Sequence, residues 1–334
     1  MAYPESGEKS SVMRLSWGNA RSGLDGPILR SYVGPSGPIP AARLRSGTAA
    51  VNDYYLLGRS GLRVSRLALG TMNFGVDGFH AAYGKTESEA EPIFRRYLEG
   101  GGNFIDTADF YTAGESETIL GRLIASAGVR DRVVLTSKFT NTVDPSDPNA
   151  AGNGRKHVMR AVEASLKRLG TDYLDLYLLH TWDRITPVEE VVRTFDDLVR
   201  AGKIRYAGLS DVPAWYAARA QSLAEAHALT PMINLQLPYS LVNRGIEAEY
   251  PAMAQSLGMG LTAWSPIGGG LLSGKYRRTG DGLAGDGRLG GERSRSPSAT
   301  GRSSRSWSRS RASSAAAWPR SRSTGWRPGP PWAR

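Results

Sequence analysis

Four residues of this 334-residue chain have types and positions suited to proton chemistry: Asp106, Tyr111, Lys138 and His180. Asp106 closes the short apolar run that begins at Asn103 and reads as a buried strand. Tyr111 lies in the loop of small and polar residues that follows, before a helix opens at Glu115 with acids in its first turn. Lys138 and His180 close two further strand-like runs, Arg132–Lys138 and Tyr173–His180. A free phenol titrates at about 10 and is a poor proton donor at neutral pH. An ammonium beside it favours the phenolate and lowers that value, and a carboxylate paired to the lysine fixes the cation in place. Tyr111 would then protonate a carbonyl oxygen while His180 hydrogen-bonds the same atom. That is the polar half of a carbonyl reduction, and the hydride has to come from a cofactor because no side chain supplies one. Taken singly, each residue has a duller reading: Asp106 as a turn cap, Tyr111 as packing, His180 as a satisfied core histidine. A lysine buried without a partner is costly, and the coincidence on three successive strand ends favours chemistry.

Those strand ends need a scaffold, and the chain supplies a regular one. A small hairpin is expected over Tyr54–Leu62 and a first buried strand over Ser65–Gly70. Helices are then expected at 87–99, 115–126, 156–168, 187–200, 213–227 and 243–257. Strands alternate with them, the later ones at 204–210, 233–236 and 261–265. Seven strand–helix alternations with short connections predict a parallel α/β architecture. An eighth unit would close a TIM (β/α)8 barrel, whose functional residues sit at the C-terminal ends of the strands. Asp106, Lys138, His180, Ser210, Gln236 and Trp264 all fall there. An open doubly wound sheet is the alternative, since strand order is not legible directly.

Composition separates the body from the ends. The formal net charge is +11, but residues 288–334 hold eleven Arg against one Glu and residues 1–52 carry a net +3, leaving the body 53–287 at −2. A basic folded surface for nucleic acid is therefore not expected. There is no cysteine, hence no disulfide framework and no thiolate metal site. The four histidines, 80, 157, 180 and 227, are too far apart for local metal spacing, so no metal site is expected. No apolar run of about 18 residues suggests a spanning helix, and nothing at the N-terminus resembles a signal peptide; a cytoplasmic protein is expected. Residues 1–52, rich in Gly, Pro, Ser and Arg, read as a disordered extension. Residues 288–334 contain no Ile, Val, Phe or Tyr and read as a disordered Arg/Ser-rich tail that cannot supply the eighth barrel unit. Its abrupt onset suggests a reading-frame slip; the Ser-Arg alternation over 303–311 is also the composition of an RNA- or partner-binding tail.

Longer motifs carry a resemblance. GTMNFG at 70–75, the run from Asn103 to Gly121, LTSKF at 135–139, SLKRLGTDYLDLYLLH at 165–180, GKIRYAGLS at 202–210, LQLPYSL at 235–241 and WSPIGGGLLSGKY at 264–276 are similar to the aldo-keto reductases over about Tyr54–Tyr276. The branch most resembled contains bacterial general-stress reductases and potassium channel β-subunits. The resemblance implies a TIM barrel, NADPH as hydride donor, and Asp106, Tyr111, Lys138 and His180 as the catalytic tetrad. It implies a cofactor site that includes Gly70, Thr71, Met72 and Asp106. Ser210, Asp211 and Gln236 hold the nicotinamide carboxamide, Trp264 stacks on the ring, Ser265 with Gly268, Gly269, Gly270 and Leu271 lines the pyrophosphate, and Pro266 and Lys275 are further cofactor contacts. Two departures stand out. Position 211 is usually Asn in the family and is Asp here, an acid that can accept a hydrogen bond from the carboxamide but cannot donate one. The basic segment that grips the adenosine 2′-phosphate after strand eight has no counterpart in the tail.

Two glycine-rich stretches are set aside as phosphate loops: Gly269–Lys275 is followed by Tyr276 where a hydroxyl must hold Mg²⁺, and Gly78–Thr86 has a spacer one residue too long. The expected function is NADPH-dependent reduction of an aldehyde or ketone, with a small carbonyl compound as partner. No nucleic acid or membrane is expected for the barrel, and homo-oligomerisation is left open. A cofactor-binding regulatory or redox-sensing subunit with little turnover is the alternative. A third reading is an inactive truncated product, because a barrel lacking one unit exposes two sheet edges.

Overall fold

The structure is a computed structural model and describes residues 51–78, 83–279, 282–285 and 289. Apart from Val51, Asn52 and Leu289, the expected N-terminal extension and C-terminal tail lie outside the described residues, as does His80.

A hairpin comes first: β1 (Tyr54–Leu56) pairs antiparallel with β2 (Arg63–Ser65). The seven strands that follow are β3 (Ala68–Gly70), β4 (Phe104–Asp106), β5 (Val134–Phe139), β6 (Leu174–Leu179), β7 (Ile204–Ser210), β8 (Met232–Pro238) and β9 (Gly260–Trp264). They form one parallel sheet in strictly sequential order. A doubly wound sheet reverses its strand order once; this one never does, which settles the choice between the two architectures for the barrel. The connections are α1 (Glu87–Glu99), α2 (Glu115–Ala127), α3 (Arg155–Leu169), α4 (Val188–Arg200), α5 (Ala214–Ala226) and α6 (Tyr250–Leu257). A last hairpin, β10 (Arg277–Thr279) with β11 (Gly282–Ala284), stands outside the sheet.

The sheet is curled, and side chains show it. Gln236 on β8 donates to Asp106 on β4 at 2.9 Å although three strands lie between them. At the other end, Leu57 and Val64 of the first hairpin pack with Phe104, Val134, Leu176, Leu178 and Ile233, residues of four different strands. The hairpin thus plugs the N-terminal mouth. Its turn is pressed so closely on the sheet that a Cβ on Gly58 (φ +58°) would lie 2.3 Å from the Ile233 carbonyl oxygen, so only glycine fits there. Among the described residues no eighth strand joins β9 to β3, so the molecule is a TIM-type barrel with seven of its eight strands in place.

The helices form because their apolar residues recur at helical spacing. In α4, Val188, Val191, Val192, Phe195 and Leu198 are all buried, while Glu189 and Arg200 face outward into ion pairs. Most expected elements occur within a residue or two of their positions. Two do not. The strand expected over Ser65–Gly70 begins only at Ala68. Ser65 instead closes the hairpin, held by Asn103 and Tyr97, and the chain turns outward through exposed Leu67. The helix expected over 243–257 splits into a 3₁₀ turn at Gly245–Ala248 and the short α6. Pro251 lies in the first turn of α6, a place where its missing N–H costs nothing and the preceding residue cannot be helical interior. No helix among the described residues is long and apolar enough to cross a membrane.

Candidate active site

Six of the seven non-glycine residues with positive φ among the described residues follow the C-terminal ends of sheet strands: Thr112, Ala113, Thr140, Arg184, Asp211 and Ser265. Strained backbone concentrates where a structure positions groups rather than merely packs them. This rim is where the sequence placed its candidates.

Lys138 is the centre. In β5 the alternation sends Ser137 outward to Glu117 on α2 and Lys138 inward. The Lys138 side chain is fully buried, and each of its three N–H donors has an acceptor. One goes to Asp106 Oδ1 in an ion pair, one to the Thr107 carbonyl at 2.8 Å and one to the Tyr111 hydroxyl at 3.2 Å. Burial works against the ammonium, but Asp106 and Tyr111 outweigh it, so the lysine is held charged above its ordinary range. The second Asp106 oxygen takes the Gln236 amide.

Tyr111 opens a 3₁₀ turn, Tyr111–Gly114, whose next two residues are left-handed at φ 48° and 56°. Thr112 locks that shape by donating to the Phe74 carbonyl at 2.6 Å and accepting from the Ser116 N–H at 2.9 Å. The phenol is buried, and desolvation raises its pKa by more than Lys138 lowers it. The sequence suggested a lowered value; burial reverses the sign, and the hydroxyl keeps its proton throughout the neutral range. His180 follows β6, its ring edge-on to Tyr111 (centroids 5.7 Å apart) and to Phe110 (5.2 Å). Asn141 Nδ2 lies 3.4 Å from His180 Nδ1. An amide nitrogen donates, so this contact is a hydrogen bond only in the tautomer that has Nδ1 as acceptor and its ring proton on Nε2.

The remaining expected residues ring this group. Ser210 ends β7, and Asp211 follows at φ +47°. Trp264 ends β9, is 42% exposed, and donates from Nε1 to Asp211 Oδ1 at 3.0 Å. Gly70 ends β3, where an added Cβ would meet open space. Thr71 is wholly buried, its hydroxyl engaged with Ser116 and the Asp106 carbonyl, and Met72 is half-buried. Between Trp264 and Pro266, Ser265 (φ +55°) accepts from the Gly269 N–H at 3.1 Å. Gly268, Gly269 and Gly270 are all left-handed, and a Cβ on Gly270 would lie 2.9 Å from Cε of the exposed Lys275. In this stretch the N–H groups of Gly268, Gly269 and Gly270 are spent on Ser265 and Ile267, and the charge of Lys275 is what would suit an anionic phosphate.

Burial raises the Asp211 carboxyl to about 6, against the opposing pull of Trp264 and Lys138. The sign for stability follows. A carboxyl with a raised folded-state pKa favours folding while protonated, so its contribution falls away as pH rises from about 4 through 6. Asp211→Asn keeps the acceptor for Trp264 and removes the charge. The variant is expected to be more stable than wild type at pH 7.5 by up to about 3 kcal/mol, converging with it near pH 4. Denaturant unfolding at the two pH values checks this; an unchanged difference between them would show that Asp211 does not titrate in this range.

Two buried features were not foreseen. Glu117 was read as a helix-dipole acid, yet it is fully buried and held by Arg168 at 2.7 Å and by Ser137. Asp109 is buried with neither carboxylate oxygen hydrogen-bonded, and burial, then Glu117, push its pKa well above the carboxylate range. Its place two residues before Tyr111 was the only signal in the sequence.

Residues 66–293 match the model of the Aldo/keto reductase family. Among curated proteins, the chain is 42% identical over 233 residues to the uncharacterized oxidoreductase YrpG of Bacillus subtilis, covering 67% of this chain and 69% of that one. It is 42% identical over 216 residues to a norsolorinic acid reductase of Emericella nidulans (63% and 56%). To a putative aryl-alcohol dehydrogenase of Saccharomyces cerevisiae it is 35% identical over 236 residues (67% and 62%). The chain therefore spans between about half and seven tenths of the lengths of these relatives.

Proposed function

The chain belongs to the aldo/keto reductase family of oxidoreductases, and we propose that it reduces the carbonyl group of an aldehyde or ketone to an alcohol with NADPH. The observation that carries this reading is Lys138, whose three donors are spent on Asp106, Thr107 and Tyr111, leaving the Tyr111 hydroxyl proton to point elsewhere. Tyr111 receives a hydrogen bond from the ammonium and is therefore a better donor of its own proton than a solvated phenol. It delivers that proton to the substrate oxygen, and His180, through Nε2–H, holds the same oxygen in place. Lys138 stabilises the phenolate left behind, and Asp106 keeps Lys138 charged and aimed. Bound at the rim, the nicotinamide supplies the hydride. Trp264, Ser210, Asp211 and Gln236 would hold its ring and carboxamide, with Gly70–Met72 and Asp106 beside them. Ser265, Pro266, Gly268–Leu271 and Lys275 would hold the pyrophosphate. The names of the relatives favour aryl aldehydes or ketones as the substrate class.

The test is a titration of the purified protein with NADPH, followed by tryptophan fluorescence, and then addition of an aromatic aldehyde. Saturable quenching, with the exposed Trp264 as reporter, followed by oxidation of NADPH is expected. Quenching without oxidation would replace this reading by a cofactor-binding regulatory subunit, and no quenching would remove the cofactor site altogether.

A further inference from the structure

The polar loop between β5 and α3 begins and ends on two buried residues whose side chains meet, Thr140 and Asn153. Thr140 directly follows β5 and stands at φ +117°, an extreme conformation for a β-branched residue, while 95% buried. Strain of this kind persists only when its surroundings over-determine it. Here they do: the Gly152 N–H donates to the Thr140 carbonyl at 2.8 Å, and the Thr140 hydroxyl donates to Asn153 Oδ1 at 2.6 Å. Asn153 is fully buried and spends its other groups on the loop after β6. Its Nδ2 donates to the Thr181 carbonyl at 3.0 Å and its backbone N–H to Asp183 at 2.8 Å. The same Thr140 hydroxyl oxygen accepts from the His180 backbone N–H at 3.1 Å, a proton shared with the Phe139 carbonyl. Asn141, the next residue, touches the His180 ring.

We propose that Thr140 and Asn153 form a latch whose purpose is to position His180. The latch fixes three successive points of the chain around the imidazole: the His180 N–H, the Thr181 carbonyl and, through Asp183, the turn beyond. The strained φ is what brings the Thr140 hydroxyl back under His180 and sends Asn141 towards the ring. Thr140 and Asn153 are positioning residues, acting on the substrate oxygen only through His180. The inference rests on the role given to His180 above.

The hydroxyl is the part that carries the latch, so Thr140→Val, which keeps the β-branch and the shape, is the informative substitution. It is expected to lower kcat/KM for an aromatic aldehyde by about 10- to 100-fold, with the NADPH Kd from fluorescence unchanged. Thr140→Ser, which restores the hydroxyl, should return kcat/KM to near the wild-type value. In a His180→Ala background Thr140→Val should cost nothing further, because there is no imidazole left to position. A loss of equal size in both backgrounds would overturn the latch, as would a Thr140→Ser variant as impaired as Thr140→Val. If Thr140→Val does not fold, Asn153→Asp takes its place in the cycle, since it still accepts from Thr140 but cannot donate to Thr181. A wild-type kcat/KM for His180→Ala alone would instead strike at the proposed reaction, which separates the two failures.

Discussion

Tyr111→Phe is expected to reduce kcat by about 10²–10⁴-fold while leaving NADPH affinity as it was. The substitution removes one oxygen and little else. The ring keeps its tilted contact with Phe110, centroids 5.1 Å apart, and its edge contact with His180. Lys138 keeps Asp106 and Thr107, so two of its three hydrogen bonds survive and the charge stays paired. One buried N–H loses its acceptor, which costs about 1–3 kcal/mol of stability, too little to unfold a typical domain. A large loss of turnover in a folded, cofactor-binding variant would therefore report on proton donation. The pH profile gives a second readout. An acid must hold its proton to work, so kcat/KM falls as pH rises through its pKa, and burial places that limb above the ordinary tyrosine range. The limb should vanish in Tyr111→Phe. Turnover within tenfold of wild type would mean that another group, or solvent, protonates the substrate.

What could be read in the sequence was whatever local chain order determines. Asp106, Lys138 and His180 each end a strand-like run of four to eight residues, and a parallel sheet in sequential order brings such ends onto one rim. The proximity of Lys138 to Tyr111 follows from β4 and β5 being neighbours. Groups that meet across the barrel were a different matter. Gln236 and Asp106 are 130 residues apart, and only the curl of the sheet makes them partners. Burial was the other blind spot. Lys138 beside a phenol suggests a lowered pKa, and the sign changes once the phenol loses solvent. The same loss of solvent turns Asp211 into a group titrating at about 6. Thr140 and Asn153 looked like ordinary loop residues, because nothing in a sequence announces a positive φ on threonine. Pro251 was the exception, a legible signal passed over: a proline there marks a helix start, and α6 does begin beside it.

Asp106→Ala should be the most damaging single change for both stability and activity. The Lys138 ammonium is buried completely, and Asp106 is its only anionic hydrogen-bond partner among the described residues. Removing one member of a buried pair typically costs about 3–5 kcal/mol, since the other charge is left without compensation. That is a large part of the stability of an average domain. The lysine has one way out, which is to lose its proton, because desolvation then acts on it with less opposition. A neutral amine can still hydrogen-bond Tyr111 but no longer stabilises a phenolate, so turnover falls with stability. The two effects can be pulled apart by also replacing the lysine. In Asp106→Ala/Lys138→Met no charge remains to be compensated, and a methionine fills nearly the same space. Most of the lost stability should return, measured by denaturant unfolding, while kcat stays low. Recovery of stability without recovery of activity would assign the ion pair to catalysis. If the double variant is no more stable than Asp106→Ala, then Asp106 supports the fold through Gln236 rather than by holding Lys138 charged, and the electrostatic account of the site is wrong.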